Sequence, residues 1–305
     1  MVARAMEAPL ALGFDVGGTK ILAGTVDRAG GIVRQHEVPS PTDSCEAVVA
    51  ALDEVAAELR DERVVAVGYG IPANLDRRTR VVLGSSNLPL VGLDLMAHSK
   101  GRFGSLPVGV ENDANAAALA EWRLGAGRST RDLVVLTLGT GVGGGLVIDG
   151  RLYQGWAELG HIVVQENGPP CACGGHGHLE ALASGHAGDR AARELYGPEA
   201  DAHTLIARAR DGEPDACAAL ARIGESLGAA VGSLVNIFDP DAVVVGGGFG
   251  AAAGELLLEP AREVARREAL SAAAERLQLV PAELGVEAGL VGAGLVAFDA
   301  LDGLR

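Results

Sequence analysis

FDVGGTK at 14–20 and LTLGTGVGGG at 136–145 decide how this chain reads, because each closes one apolar run with glycines and is followed by another. LALGFDV (10–16) and ILAGTV (21–26) read as two strands joined by a Gly-Gly-Thr-Lys turn, a hairpin and not a strand-to-helix step. From 133, LVVLTLG turns through glycine and continues as GGLVIDGRLY, repeating that pattern. With an offset of 122 residues Asp15 falls on Thr137, Gly17 on Gly139 and Asp27 on Asp149, so two identities suggest an internal repeat.

Outward from the hairpins, Val48, Val49, Leu52, Val55, Ala56 and Leu59 recur at helical spacing, and VVAVGYGI (64–71) reads as a buried strand. GVEN (109–112) leads into an Ala-rich helix at about 113–124 with Asn112 or Asp113 at its start. Residues 151–180 are loop-rich and 184–237 mostly helical. DAVVVGG follows as a short buried strand, then a helix over 251–269. GLVGAGLVAFDA (289–300) is a small-residue helix suited to close packing on an earlier element. The boundary is placed near GAGRSTRD (125–132), which gives a first domain over 1–125 and a second over 126–289, with the last helix, about 290–305, returning to the first.

The 305 residues suit two domains better than one, and 48% hydrophobic residues with few aromatics describe a compact α/β protein. A net charge of −15 argues against nucleic acid as a partner, because phosphate backbones require a basic footprint. The N-terminal MVARAMEAPLALGF lacks the apolar core of a signal peptide, and no membrane span is expected, so the expectation is a cytoplasmic protein. Four cysteines are too few for a disulfide framework in a chain this long.

Glycine lets a main chain bring its N–H donors close to phosphate oxygens. DVGGTK supplies Gly17 and Gly18, adds the Thr19 hydroxyl and Lys20 cation, and offers Asp15 to the water shell of Mg²⁺; Gly139, Thr140, Gly141 and Gly143 form the second loop. Either loop alone is equally explained by the needs of a tight hairpin. Gly139, Gly141 and Gly144 match a dinucleotide fingerprint, but that motif must open a helix and here runs into a strand. Gly246, Gly248 and Ala251 have the better local context for it, as a lone motif far from where such a domain begins. No P-loop sequence is present.

Asp113 follows the break after PVGVEN, so its carboxylate belongs at a strand end and a helix start. Capping alone accounts for Asn112 and Asp113. The functional alternative has Asp113, kept ionised by the helix dipole, take the proton of an attacking substrate hydroxyl while Asn112 holds a neighbouring one. His161, Cys171, Cys173 and His178 place two imidazoles and two thiols within eighteen residues, a set suited to tetrahedral Zn²⁺, with His176 competing for the fourth position. Glu158 and Glu180 flank the cluster and can accept hydrogen bonds from sugar hydroxyls, or are solvated charges.

In order along the chain, DVGGTK, GYGIPANLD, SSNLPL, ENDANAAALAEW, LTLGTGVGGGLVIDG, GWAELGH, CACGGHGHLE, ALASG and VVVGGGFG resemble the ROK family of repressors and sugar kinases, above all its bacterial glucokinases. The resemblance implies two actin-like α/β domains with a cleft between them, and phosphoryl transfer from ATP with Mg²⁺ to a sugar hydroxyl. It implies Asp113 as catalytic base, Asn112, Glu158, His161 and Glu180 as sugar-binding residues, and Asn87 as part of the sugar pocket. It makes DVGGTK and GTGVGGG the phosphate segments, VVVGGGFG with Gly247 and Gly248 the adenosine segment, and the 158–180 loop a structural zinc site. A homodimer or homotetramer is also implied.

The sequence departs from the family's pattern where His178 replaces a third cysteine, where Pro72-Ala73 replaces proline-glycine, and after the NLP motif, which lacks the usual aromatic. The leading expectation is a glucokinase whose domains close to exclude water. Fructose, mannose, N-acetylglucosamine and N-acetylmannosamine kinases share these motifs, and polyphosphate is an alternative donor. A sugar-responsive repressor is the rival class; such proteins carry an N-terminal helix-turn-helix extension, and about a dozen residues precede FDVGGTK here. A dehydrogenase is a distant third.

Overall fold

The computed structural model describes residues 8–85 and 88–304, so Asn87 lies outside the described residues. The chain divides into two compact units. One holds the residues up to Ala120, Gln154–Trp156 and the chain from Glu287; the other holds Glu121–Tyr153 and Ala157–Val286.

In the first unit β1 (Leu10–Val16), β2 (Lys20–Val26) and β3 (Ile32–Pro39) run antiparallel. Helix α1 (Cys45–Glu58), started by the Ser44 hydroxyl accepting from the Ala47 amide, leads to β4 (Val64–Ile71), parallel to β1. A small hairpin, β5 (Asn74–Leu75) and β6 (Val82–Gly84), and helix α2 (Leu95–Phe103) precede β7 (Val108–Asn112). The sheet order is β3-β2-β1-β4-β7. From β7 the chain passes into α3 (Asp113–Leu124), and the division between the units falls inside that helix.

The second unit opens on β8 (Leu133–Leu138), β9 (Val142–Ile148) and β10 (Arg151–Leu152). After a loop come α4 (Leu179–Ala183), α5 (Gly185–Tyr196), α6 (Ala202–Arg210) and α7 (Pro214–Phe238). Then follow β11 (Ala242–Gly246), α8 (Gly248–Ala253), α9 (Glu255–Glu268), α10 (Ser271–Ala274) and β12 (Leu279–Pro281). Its sheet order is β10-β9-β8-β11-β12. Each sheet is thus a three-stranded antiparallel ladder with two parallel strands added at the inner edge. The 122-residue offset lays the end of β1 on the end of β8, and β2 on β9 over their full length. The single helix expected over 251–269 is instead two, because Gly254 takes a left-handed φ of 55° between α8 and α9.

Side-chain size alternates along the central strands of the first unit, and this decides what packs on each face. Leu12, Phe14, Val16, Val67, Tyr69 and Ile71 form one face, joined to Val48, Leu52 and Val55 of α1 in a common core. Phe14 and Tyr69 stack with ring centroids 4.8 Å apart. The other face is built from Ala11, Gly13, Ala66, Gly68 and Gly109, with Asp15 and Gly70 at the strand ends. The final helix, α11 (Ala288–Leu301), lies on this face so closely that a Cβ on Gly68 would sit 2.0 Å from the Ala293 carbonyl oxygen.

The second unit packs helix against helix in the same manner. Gly224 and Gly228 of α7 meet α9, where a Cβ on either would come within 2.4 Å of the Leu257 or Ala261 carbonyl oxygen. Among the described residues α7 alone is long and apolar enough to cross a bilayer, but 61% of its most apolar window is buried inside the protein.

Candidate functional site

The acid predicted from ENDANAAA stands where the small face of the first sheet ends. Asp15, Gly70 and Glu111 are register neighbours on β1, β4 and β7. Gly70 leaves room for the start of α3 above the sheet: a Cβ there would lie 3.3 Å from the Ala116 methyl and 3.5 Å from the Asp113 Cα. The helix cap is filled by Asn112, whose Oδ1 accepts from the amides of Ala114 (3.0 Å) and Asn115 (3.2 Å). Asp113 is not consumed by that task; one carboxylate oxygen accepts from the adjacent Ala114 amide at 2.8 Å.

Burial pushes the Asp113 carboxyl above the usual carboxylate range, against the pull of the Ala114 amide and its own. Desolvation thus works against the helix-start amides expected to keep this acid ionised. Asp15 is pushed up to about 7 by burial first and by the Asp113 charge second, with Lys20 pulling the other way. Its side chain lies against the first turn of α11, where Gly289 leaves it space. A buried carboxyl whose affinity for protons is raised by a second carboxyl beside it marks a site that favours a cation. That chemistry fits the Mg²⁺ role expected of Asp15.

Sequence reading passed over the supports of this corner. Glu111 is buried, accepts from the Asn112 amide (3.1 Å) and from Asn115 Nδ2 (3.1 Å), and faces Arg80 at 3.7 Å. The signal was an ionisable residue inside the apolar run of β7, and Gly-x-Gly in β4.

The two glycine hairpins are held differently. In the first, the Gly17 amide donates to the Lys20 carbonyl at 2.9 Å, and the Ser40 hydroxyl and amide bind the Gly17 and Thr19 carbonyls. Gly18 lies between them at the turn, Thr19 and Lys20 are exposed, and Lys20 pairs with Glu37 at 2.6 Å in solvent. In the second, the Gly139 and Thr140 carbonyls accept from the Gly185 (2.8 Å) and His186 (3.3 Å) amides at the start of α5. A trans peptide sets its N–H opposite its C=O, so the amides of Thr140 and Gly141 point away from α5. Gly143 lies within β9, paired with Thr137. Gly247, with φ of 80°, passes against the end of β8, and Gly248 opens α8. The Gly139–Val142 turn and Gly247–Gly248 are thus neighbours in one unit.

His161, Cys171, Cys173 and His178 come together, with their ligand atoms all within 4.8 Å of one another. His161 faces Cys171 through Nδ1 at 3.8 Å, and His178 faces Cys173 through Nδ1 at 3.1 Å. Tetrahedral zinc bonds of about 2.0–2.3 Å need a set only slightly tighter than this. Burial first, then Cys173 and Glu180, push the Cys171 thiol up to about 11, and a zinc ion bound there would favour the thiolate. The donor set fits zinc. His178 joins the cluster where the family pattern has a cysteine, and Gly175 gives its ring room; a Cβ there would be 2.4 Å from the ring. His176 is outside the cluster and pairs with Pro170 in an isolated bridge.

Glu158 precedes the short helical turn Leu159–His161, with a carboxylate oxygen 4.0 Å from His161 Nε2. Glu180, on the first turn of α4, accepts from the Val142 amide at 3.0 Å and from the Cys171 thiol at 3.6 Å.

A profile of the ROK family matches residues 11–300. The glucokinase of Streptomyces coelicolor is 36% identical over 313 residues, covering 95% of this chain and 98% of that protein. Among solved structures, a ROK family glucokinase from Streptomyces griseus in complex with glucose and AMPPNP is 37% identical, with a TM-score of 0.85 over 95% of this chain and 99% of that one. A ROK hexokinase from Thermus thermophilus is 38% identical, with a TM-score of 0.83 over 96% and 99%. With its duplicated sheet, its two actin-like α/β units and its motifs in order, the chain belongs to the ROK family.

Proposed function

We propose that this protein is a glucokinase that transfers the γ-phosphoryl group of ATP to the 6-hydroxyl of glucose. The observation that carries the reading is the placement of Asp113: a desolvated carboxyl, spared from capping by Asn112, at the open end of a sheet. Glucokinases at this level of identity over nearly the whole chain support the substrates.

Asp113 accepts the proton of the attacking hydroxyl. A carboxyl raised above its ordinary range is a stronger base than a solvated one. Asn112 offers its Nδ2 to a neighbouring sugar hydroxyl while its Oδ1 holds the helix start. Glu158, His161 and Glu180 orient the remaining hydroxyls, with Asn87 beside them. The amides of Thr140 and Gly141 bind phosphate oxygens, supported by Gly17, Gly18, Thr19 and Lys20, while Gly247 and Gly248 border the adenosine. Asp15 holds the water shell of Mg²⁺, which neutralises phosphate charge when bound. Zinc bound by His161, Cys171, Cys173 and His178 orders the loop that carries the sugar residues. A cytoplasmic homodimer or homotetramer with domains near 1–125 and 126–289 completes the reading.

The test is a coupled ATP-dependent assay over a hexose panel. Glucose is expected to give the highest kcat/KM, and Asp113→Asn to lower kcat by about 10²–10⁴ with KM for glucose little changed. Undiminished turnover in Asp113→Asn overturns the base, and a strong preference for another hexose overturns the substrate.

A further inference from the structure

We infer that Glu180 is a positioning residue that ties the Cys/His loop to the glycine loop Gly139–Val142, so that metal occupancy is transmitted to nucleotide binding. The inference rests on reading that glycine loop as the phosphate segment. It adds a nucleotide-side role to a residue otherwise assigned to the sugar.

The tie is short and continuous. His178 closes the metal cluster and immediately precedes α4. Two residues on, one Glu180 oxygen accepts from the Val142 amide at 3.0 Å, while the other lies 3.6 Å from the sulfur of Cys171, itself in the cluster. The chain then reaches α5, whose Gly185 and His186 amides hold the Gly139 and Thr140 carbonyls. The loop is therefore gripped at Gly139, Thr140 and Val142 by Glu180, Gly185 and His186, all within eight positions of His178.

Gly141, the loop residue without such a bond, lies under the same carboxylate, where a Cβ would be 2.2 Å from the Glu180 oxygen. Close approach of Glu180 thus gives this glycine a reason that does not involve phosphate. A glycine-rich loop left to itself carries a large conformational entropy. Fixing it with one carboxylate and two amides orients the Thr140 and Gly141 N–H groups before any ligand arrives. Without the metal, Cys171 and His178 are no longer held together, and α4 loses the restraint that keeps Glu180 on Val142.

Two measurements test this on the full chain, loaded with zinc or stripped by a zinc chelator and dialysed. Hydrogen exchange at the Val142 amide is expected to quicken about tenfold on stripping and in Glu180→Ala, but to stay within about threefold of wild type in Glu180→Gln, which keeps an acceptor oxygen. Calorimetry with Mg·AMPPNP is expected to show about tenfold weaker binding for stripped wild type and for zinc-loaded Glu180→Ala. Stripping Glu180→Ala should add less than about twofold, because the tie is already cut. Val142 exchange indifferent to metal and to Glu180→Ala, or losses that simply multiply in the stripped variant, overturn the inference. If the loaded wild type binds no nucleotide while Val142 exchange still follows the metal, the kinase reading falls and the mechanical tie stands.

Discussion

The hairpin between Val16 and Lys20 in the first unit and the hairpin between Leu138 and Val142 in the second occupy the same place in sheets of one strand order, yet their surroundings differ in kind. Beneath the first lies a carboxyl, Asp15, on the close-packed face under α11; the matching position in the second is Thr137. The first tip is pinned by Ser40 at the end of β3. The second is pinned by the start of α5 and by the Glu180 carboxylate on α4. A shared backbone frame supplies equivalent strand ends, and the segments inserted after them supply the chemistry.

The largest break of this comparison is expected from the metal loop, which the first unit lacks. In the Cys171→Ser/Cys173→Ser double variant, metal analysis should fall from one zinc per chain to none. Loss of the ion should destabilise the second unit by on the order of 5 kcal/mol in denaturant unfolding, since metal binding to a preformed site is folding free energy. Equal zinc in variant and wild type removes the cluster from the account.

Close packing gives the next effect. Gly68→Ala forces a methyl into the Ala293 carbonyl and should cost about 3 kcal/mol or more, and Gly228→Ala about 2–3 kcal/mol through α9. Both are read by urea midpoints. If Gly228→Ala alone proves silent, helix-on-helix packing yields where helix-on-sheet packing does not, which sharpens the contrast between the units.

Asp15 carries a pH signature that Thr137 lacks. Its folded value, up to about 7, lies above the ordinary 3.8, so the folded chain holds a proton that the unfolded chain releases. The stability associated with the neutral carboxyl is complete below about pH 4 and is lost as pH rises through about 7. Asp15→Asn should therefore be the more stable protein at pH 8, by on the order of 3 kcal/mol, with an advantage that shrinks steadily toward acid. An advantage constant between pH 5 and 8 contradicts the placement of this acid.

The smallest effect belongs to Lys20 and Glu37. Both are half exposed, so Glu37→Gln should change stability by less than about 0.5 kcal/mol, leaving Lys20 available to phosphate. Weakened Mg·AMPPNP binding in Glu37→Gln would show that the pair positions the lysine and does not merely share solvent with it.

Much of this was legible in the residues. The hairpins could be read because glycine turns flanked by apolar runs have few other solutions, and the Cys/His set because four such ligands in a short loop are rare in a chain with four cysteines. The break at Gly254 was missed because apolar spacing continues across it, and only its φ reveals the stop. Glu111 was missed because one carboxylate in a strand carries no periodic signal; its meaning comes from Arg80, Asn112 and Asn115, whose approach depends on the sheet.

By itself the sequence determined the family, the hairpin character of both glycine blocks, the acid at the start of α3 and three of the four members of the Cys/His cluster. These are properties of local spacing and of residue type. Tertiary structure alone decided which of Asn112 and Asp113 caps the helix, that His178 and not His176 joins the cluster, and that Glu180 reaches Val142. It also decided that burial outweighs the backbone hydrogen bonds at Asp113. Each of these depends on which groups exclude water from one another and how closely backbones approach, and those distances are set only when the sheet, the loop and α11 have packed.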